Sequence, residues 1–305
     1  MKAPLKTSCI WILCFCFVWV VVALALPARA AQEAKEETKE AILLVAFGTS
    51  RLGAQVAYDN VEKQVREAFP GKDLRWAWTA RTLLRSNPEA PRLAVPEALA
   101  RLDAENVKKV SILSLHIIPG IEYANLEQTA QAFEGLPKGI EEIRLSTPLL
   151  HDVESLGTVA ELLVKNAPKE RKPGEALVFV GHGTSHAAGV YYPAMQYYLH
   201  RLDKNAFIGT LDFEKGEKHT EGSPSLEDIV EALKAKSIKK VWLAPFMMVA
   251  GVHASDDLFG PEKDRWKQVL LASGIQVEAV DKGLGTYPDF VALWVENLKN
   301  VMNMP

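Results

Sequence analysis

Short apolar runs alternate with stretches of helical spacing along most of this chain. Ala41-Ile-Leu-Leu-Val-Ala-Phe47 reads as a buried strand and stops abruptly at Gly48-Thr49-Ser50. Residues 51–69 then place Val56, Val61, Val65 and Ala68 at helical spacing and end at Pro70-Gly71. Residues 74–79, 107–115 and 140–145 predict three further strands, and residues 96–102, 121–133 and 153–164 predict helices between and after them. Strand and helix patterns in alternation imply a parallel sheet covered by helices on both faces.

The pattern then repeats. Ala41-Ile-Leu-Leu-Val-Ala-Phe-Gly-Thr-Ser50 aligns with Ala176-Leu-Val-Phe-Val-Gly-His-Gly-Thr-Ser185, and Lys108-Lys-Val-Ser-Ile-Leu113 aligns with Lys239-Lys-Val-Trp-Leu-Ala244. Two matches in the same order and at nearly the same spacing indicate a duplication. The fold class expected is α/β, with two duplicated flavodoxin-like domains at 41–172 and 173–305. They have parallel sheets in the order 2-1-3-4, an interdomain cleft, and a join near Arg171-Lys-Pro-Gly174. Residues 31–40 are charged, lack apolar periodicity and read as a linker.

The duplication singles out two histidines. His182 follows the first strand of the second half, between Gly181 and Gly183, and His253 follows the third strand, beside Gly251. Strands one and three are neighbours in the expected order, so both residues sit at the carboxyl end of the sheet, where open α/β folds bind ligands. Phe47 holds the position of His182 in the first half, so the turn itself does not require histidine. A carboxylate is the expected third group. Glu221, just before a helix that opens near Ser223-Pro224, is one candidate; Asp212, at the end of the preceding strand, is the other. The corresponding first-half loops offer Thr49, Ser50, His116 and Glu122. His186 and His219 lie near these positions and read as solvated loop residues, whereas His151 and His200 read as structural. Tyr191-Tyr192 could wall a flat ligand or pack a helix start.

Composition narrows the chemistry. The 305 residues are 48% hydrophobic and 24% charged with a net charge of −3, an ordinary globular balance that gives no nucleic-acid surface. Lys2 and Lys6, the apolar run 9–26 and Ala28-Arg29-Ala30 form a secretory signal over residues 1–30. A periplasmic location is therefore expected, with an uncleaved anchor as the alternative and membrane contact only through that segment. All three cysteines lie inside the apolar run, so metal ligands beyond it must come from His, Asp or Glu.

Several segments together resemble the class II tetrapyrrole chelatases of the anaerobic sirohydrochlorin cobaltochelatase type. They are Leu44-Val-Ala-Phe-Gly-Thr-Ser50, Ser114-Leu-His-Ile-Ile-Pro-Gly120 with Glu122-Tyr123, Gly181-His-Gly-Thr-Ser-His186, Glu221-Gly-Ser-Pro-Ser225, Pro245-Phe-Met-Met-Val-Ala-Gly-Val-His253 with Asp256-Asp257, and Gly283-Leu-Gly285. The resemblance implies insertion of Co²⁺, with Fe²⁺ as a second metal, into sirohydrochlorin, and no organic cofactor. It implies that His182, Glu221 and His253 bind the metal and that His182 also serves as base. The stretch 212–220 before Glu221 is longer than the family's pattern, which leaves Asp212 open.

Such a reaction needs an apolar cleft for a flat macrocycle. Phe246, Met247, Met248 and Val249 would supply its walls, with Met248 the substrate contact singled out. Arg51 and Arg81 are rim candidates for the macrocycle's acidic side chains. A homo-oligomer is compatible with this reading. The rival from another class is a periplasmic carrier of metal, haem or another tetrapyrrole without catalysis. A hydrolase using Ser185 or Thr184 lacks the Gly-x-Ser-x-Gly elbow.

Overall fold

The computed structural model describes residues 38–80, 92–211, 223–252 and 254–304, and of Leu52 the backbone alone. Strands β1 (Glu40–Ala46), β2 (Asp73–Trp78), β3 (Lys109–Ser114) and β4 (Glu142–Leu145) form one sheet. Strands β5 (Ala176–Gly181), β6 (Ala206–Thr210), β7 (Lys240–Pro245) and β8 (Gln276–Ala279) form a second. Both sheets are wholly parallel and share one topology, β2-β1-β3-β4 and β6-β5-β7-β8, the order expected of flavodoxin-like domains. The central strands are buried on both faces, which is why β1 and β5 are continuous apolar runs rather than alternating ones.

The α-helices among the described residues are α1 (Gln55–Ala68), α2 (Val95–Ala104), α3 (Ile121–Phe133), α4 (Val153–Lys165), α5 (Tyr191–Leu202), α6 (Leu226–Ala235), α7 (Trp266–Ala272) and α8 (Pro288–Met302). Two of them open on a capping box: Asp152 accepts the Ser155 N–H at α4, and Ser225 accepts the Asp228 N–H at α6. The helix expected near Ser223-Pro224 is α6.

The helices sort into three layers. The outer face of the first sheet (Ala41, Leu43, Val45) packs with α2 and α3, and the outer face of the second (Ala176, Val178, Val180) packs with α6 and α7. The two inner faces share a single apolar core. Ile42 and Leu44 of β1, Leu177 and Phe179 of β5, and the buried sides of α1, α4, α5 and α8 all belong to it.

Two helices of this middle layer, α4 and α8, are exchanged. The last helix, α8, follows the second sheet yet packs on β3, β4 and α1 of the first. Its Phe290, Val291, Trp294 and Leu298 are fully buried. Conversely, α4 follows the first sheet but packs along α5, with Leu163 beside Leu177 and Phe179. Polar contacts secure the exchange: Arg144 Nη1 donates to Met302 O at 2.7 Å and Asn297 Nδ2 to Pro148 O at 3.1 Å. No helix among the described residues is long and apolar enough to cross a membrane.

Candidate active site

At the end of β5 the chain needs glycine for two separate reasons. A Cβ on Gly181 would lie 2.3 Å from Tyr192 Cε1, so the strand terminus has no room for a side chain. Gly183 has φ +80°, a left-handed conformation that other residues adopt at a cost. The buried Tyr192 hydroxyl accepts the Gly183 N–H at 3.1 Å, and burial pushes its pKa up to about 12, so it stays neutral. Tyr192 thus holds both neighbours of His182, and its role is packing rather than walling a ligand. His182 itself is exposed, with Nδ1 3.4 Å from Gly183 O.

The first sheet ends the same way. Gly48 has φ +100° and Phe47 projects into solvent at 42% exposure. The two repeat-related side chains meet: the Phe47 and His182 ring centroids are 6.5 Å apart, with the planes tilted by 46°. The adjoining threonines are equally matched. Thr49 Oγ1 accepts the Arg51 N–H at 3.2 Å, and Thr184 Oγ1 accepts the His186 N–H at 3.1 Å.

Each threonine also abuts the other half of the molecule. A Cβ built on Gly251 would approach Thr49 Oγ1 to 2.9 Å, and one on Gly120 would lie 3.8 Å from Thr184 Oγ1. The contacts are reciprocal, and they bring the loops after β1, β3, β5 and β7 to one end of the molecule. Beyond the two glycines, Ile121 and Val252 occupy corresponding places and both are exposed.

Cations fasten this end rather than lining it. Arg51 pairs with Asp281 through two bonds of 2.8 and 2.6 Å and donates to Ala250 O at 2.9 Å, and the Asp281 hydrogen bond raises the guanidinium's already high pKa. The rim role considered for Arg51 is thus taken up by a clamp between the halves. Arg92 donates to Thr49 O at 2.6 Å while its guanidinium lies 5.0 Å from the Trp78 ring centre. Neither Asp281 nor Arg92 carries a sequence signal, because each acts on a backbone or a partner far away in the chain.

The other candidates divide. Ser50 is exposed beside Thr49, and Glu122 is half-buried in the first turn of α3. Met248 lies beneath the loop, its backbone oxygen accepting the Gly285 N–H at 2.9 Å and its methyl group against Gly285. His116 turns inward. Its Nδ1 is 2.9 Å from Ser114 Oγ, its Nε2 is buried and unpartnered, and burial pushes its pKa down to about 4. Glu221, His253, Asp212, His219 and Arg81 lie outside the described residues. Among the described residues no group of three or more His, Cys, Asp or Glu is placed to hold a metal.

These contacts can be tested by substitution. Gly181→Ala drives a methyl group into the Tyr192 ring and is expected to cost about 1–3 kcal/mol, whereas Tyr192→Phe, which loses only the bond to Gly183, costs about 1 kcal/mol. Urea denaturation of both variants checks the order. For His116, the unfolded imidazole titrates near 6.5 and the folded one near 4. Between these values the unfolded chain binds a proton that the folded chain refuses, so stability falls as pH drops through the window. His116→Gln is expected to shrink the stability loss between about pH 7 and pH 5; an undiminished loss would contradict the assignment.

Comparison with known proteins places the whole of this fold in a family. Residues 40–303 match the family model described as "Cobalt chelatase (CbiK)". The chain is 35% identical over 264 residues to the sirohydrochlorin cobaltochelatase CbiKC of Nitratidesulfovibrio vulgaris, covering 86% of this chain and 90% of that protein. It is 29% identical over 276 residues to the sirohydrochlorin cobaltochelatase of Salmonella typhimurium, covering 87% and 97%. Among solved structures, SirB from Bacillus subtilis with Fe³⁺ superposes with a TM-score of 0.55 at 13% identity, over 87% of this chain and 96% of that one, a likeness of fold. With the model matched from β1 to the end of α8, the chain belongs to the CbiK cobalt chelatase family.

Proposed function

We infer that the protein is a sirohydrochlorin cobaltochelatase, a lyase that inserts Co²⁺ into sirohydrochlorin and releases two protons. The observation that carries this reading is His182: an exposed imidazole, fixed between two glycines at a strand end, its ring tilted beside that of Phe47 at 6.5 Å between centroids. Metal insertion requires a base that can reach the macrocycle's inner N–H groups from one face. It also requires donors that hold a divalent ion without keeping it, and imidazole suits Co²⁺ in this respect.

In this reading Co²⁺ is a substrate. His182 binds it with His253 and a carboxylate, Glu221 or Asp212, and accepts a pyrrole proton as the metal enters. Tyr192 keeps the imidazole in place through Gly181 and Gly183. Thr49 and Ser50, in the loop after β1, and Glu122, in the first turn of α3, stand at the end of the sheets that receives the macrocycle. Fe²⁺ is a second metal for the same donors, since a site of imidazoles and one carboxylate discriminates weakly between the two ions.

Mixing the protein lacking residues 1–30 with sirohydrochlorin and Co²⁺, and following the macrocycle absorbance, tests the activity. Turnover is expected, and His182→Ala should lower it by at least about 100-fold, the usual contribution of a general base. An unchanged rate in that variant would sink the mechanism, and tight macrocycle binding with no turnover would make the protein a carrier.

The leader supports a periplasmic site of action. Lys2, Lys6, the apolar run 9–26 and the Ala28-Arg29-Ala30 exit have the form of a cleaved secretory signal. Osmotic-shock fractionation of producing cells should release a protein beginning at Ala31. Recovery in the membrane fraction would indicate an anchor, and recovery in the cytosol would overturn export.

A further inference from the structure

The outer edge of β6 is closed by a side chain instead of a strand. Asn205 O and Leu211 N bond to β5, so Ala206 and Ile208 direct their backbone groups away from it. Gln196 of α5 takes both. Its Nε2 donates to Ala206 O at 3.1 Å and its Oε1 accepts the Ile208 N–H at 2.9 Å. A primary amide offers a donor and an acceptor in one plane, the pair that a neighbouring strand would present.

This clasp is the third side of a frame. Tyr192, one turn earlier on α5, fills the space beside Gly181 and accepts the Gly183 N–H. At the end of β6, Leu211 N donates to Gly181 O at 2.9 Å. Tyr192 thus joins α5 to the end of β5, Leu211 joins β6 to the same place, and Gln196 joins α5 to β6. Two sides would leave an angle free, and the third closes it. Met195 and Leu199 of α5 are fully buried, but apolar contact alone does not fix a helix along a strand. At the corner where Tyr192 and Leu211 meet stands His182.

The other half of the repeat shows the same frame left open. α1 buries Tyr58, Val61 and Val65 where α5 buries Tyr192, Met195 and Leu199, so Glu62 holds the place of Gln196. Trp76 lies opposite Leu44 as Ile208 lies opposite Phe179, and Glu62 accepts the Trp76 indole N–H at 2.9 Å. The bond from helix to strand is therefore kept. The bond from tyrosine to loop is not: the Tyr58 hydroxyl is buried and has no partner among the described residues. That half ends its strand in Phe47, and the closed frame belongs to the half that carries the imidazole.

We propose that Gln196 is a positioning residue for metal insertion: by fixing α5 along β6 it sets, through Tyr192, where the His182 imidazole stands. The inference rests on the reading of His182 as the base and deepens it.

Gln196→Leu removes both bonds. It is expected to lower kcat for Co²⁺ insertion into sirohydrochlorin by about tenfold and to leave KM for the macrocycle within about twofold of the wild type. Gln196→Glu keeps the acceptor for Ile208 and loses the donor to Ala206, so it should fall between; it carries the test if Gln196→Leu does not fold. Glu134→Ala is the matched control. Glu134 caps an edge of the first sheet in the same manner, accepting the Ile143 N–H at 2.9 Å, and its loss should lower the melting temperature without changing kcat. Combined with Tyr192→Phe, the loss in kcat should be less than the product of the single losses, because both substitutions open one frame. In the metal-free protein, the His182 imidazole resonance, assigned by its absence from His182→Ala, should move in Gln196→Leu and in Tyr192→Phe and stay in place in Glu134→Ala. An unchanged kcat in a folded Gln196 variant overturns the proposal, as do fully multiplicative losses or an unmoved resonance. If the wild type inserts no metal, the chelatase reading fails, and the resonance alone decides whether Gln196 places the imidazole.

Discussion

Burial of two sheets against one shared layer of helices is the constraint on which the rest of this structure depends. Ile42 and Leu44 on one sheet and Leu177 and Phe179 on the other belong to the same apolar core. Neither sheet can keep its inner face dry without a helix contributed by the other half of the sequence. Hydrophobic burial scales with area and has no direction of its own, so direction must come from elsewhere. Here it comes from the exchange of α4 and α8 and from the polar contacts at their ends. With the core shared, the strand ends are held at fixed separations, and the meeting of Phe47 with His182 becomes a property of the fold.

Around that separation the molecule uses two kinds of fastening. The first is steric: glycines admit a neighbour too close for any side chain, as Gly181 admits Tyr192 and Gly251 admits Thr49. The second is polar: Arg51 spans the halves to Asp281 and Ala250, and Arg92 takes the Thr49 carbonyl. The Arg51 pair is about a third or more exposed on each side and by itself contributes about 0.2–1 kcal/mol. Its importance is geometric, because it joins the loop after β1 to the segment after β8. The reciprocal threonine contacts do the same at shorter range. The site thus depends on both copies of the repeat, although the histidine belongs to one.

Much of this is legible in the sequence because parallel sheets write themselves as continuous apolar runs. β1, β3, β5, β6 and β7 all stand out in that way, the flavodoxin-like class supplies the strand order, and the duplication says that both halves share it. β8 does not, since Gln276–Ala279 is a partly exposed edge strand with no apolar run. The place of His182 at a strand end can be read from its flanking glycines. That Phe47 faces it cannot, because alignment shows equivalence between positions and not the hand of the packing that turns equivalent loops toward each other. The helix exchange is hidden for the same reason: the apolar stripe of α8 demands a partner without saying which sheet provides it. His116 and Met248 are legible as residues at the correct end of a sheet. Whether such a side chain faces the cleft or the interior depends on rotamers and neighbours that spacing does not encode.

The exchanged last helix also has a consequence in time. A ribosome delivers the strands β1 to β4 long before it delivers Pro288–Met302, so the first sheet waits through almost half the chain for the helix that covers it. Contacts this distant in sequence slow folding and leave apolar surface uncovered meanwhile. The first half is therefore not a unit that can mature by itself, and loss of even the final turns would strip the cover from strands made near the start.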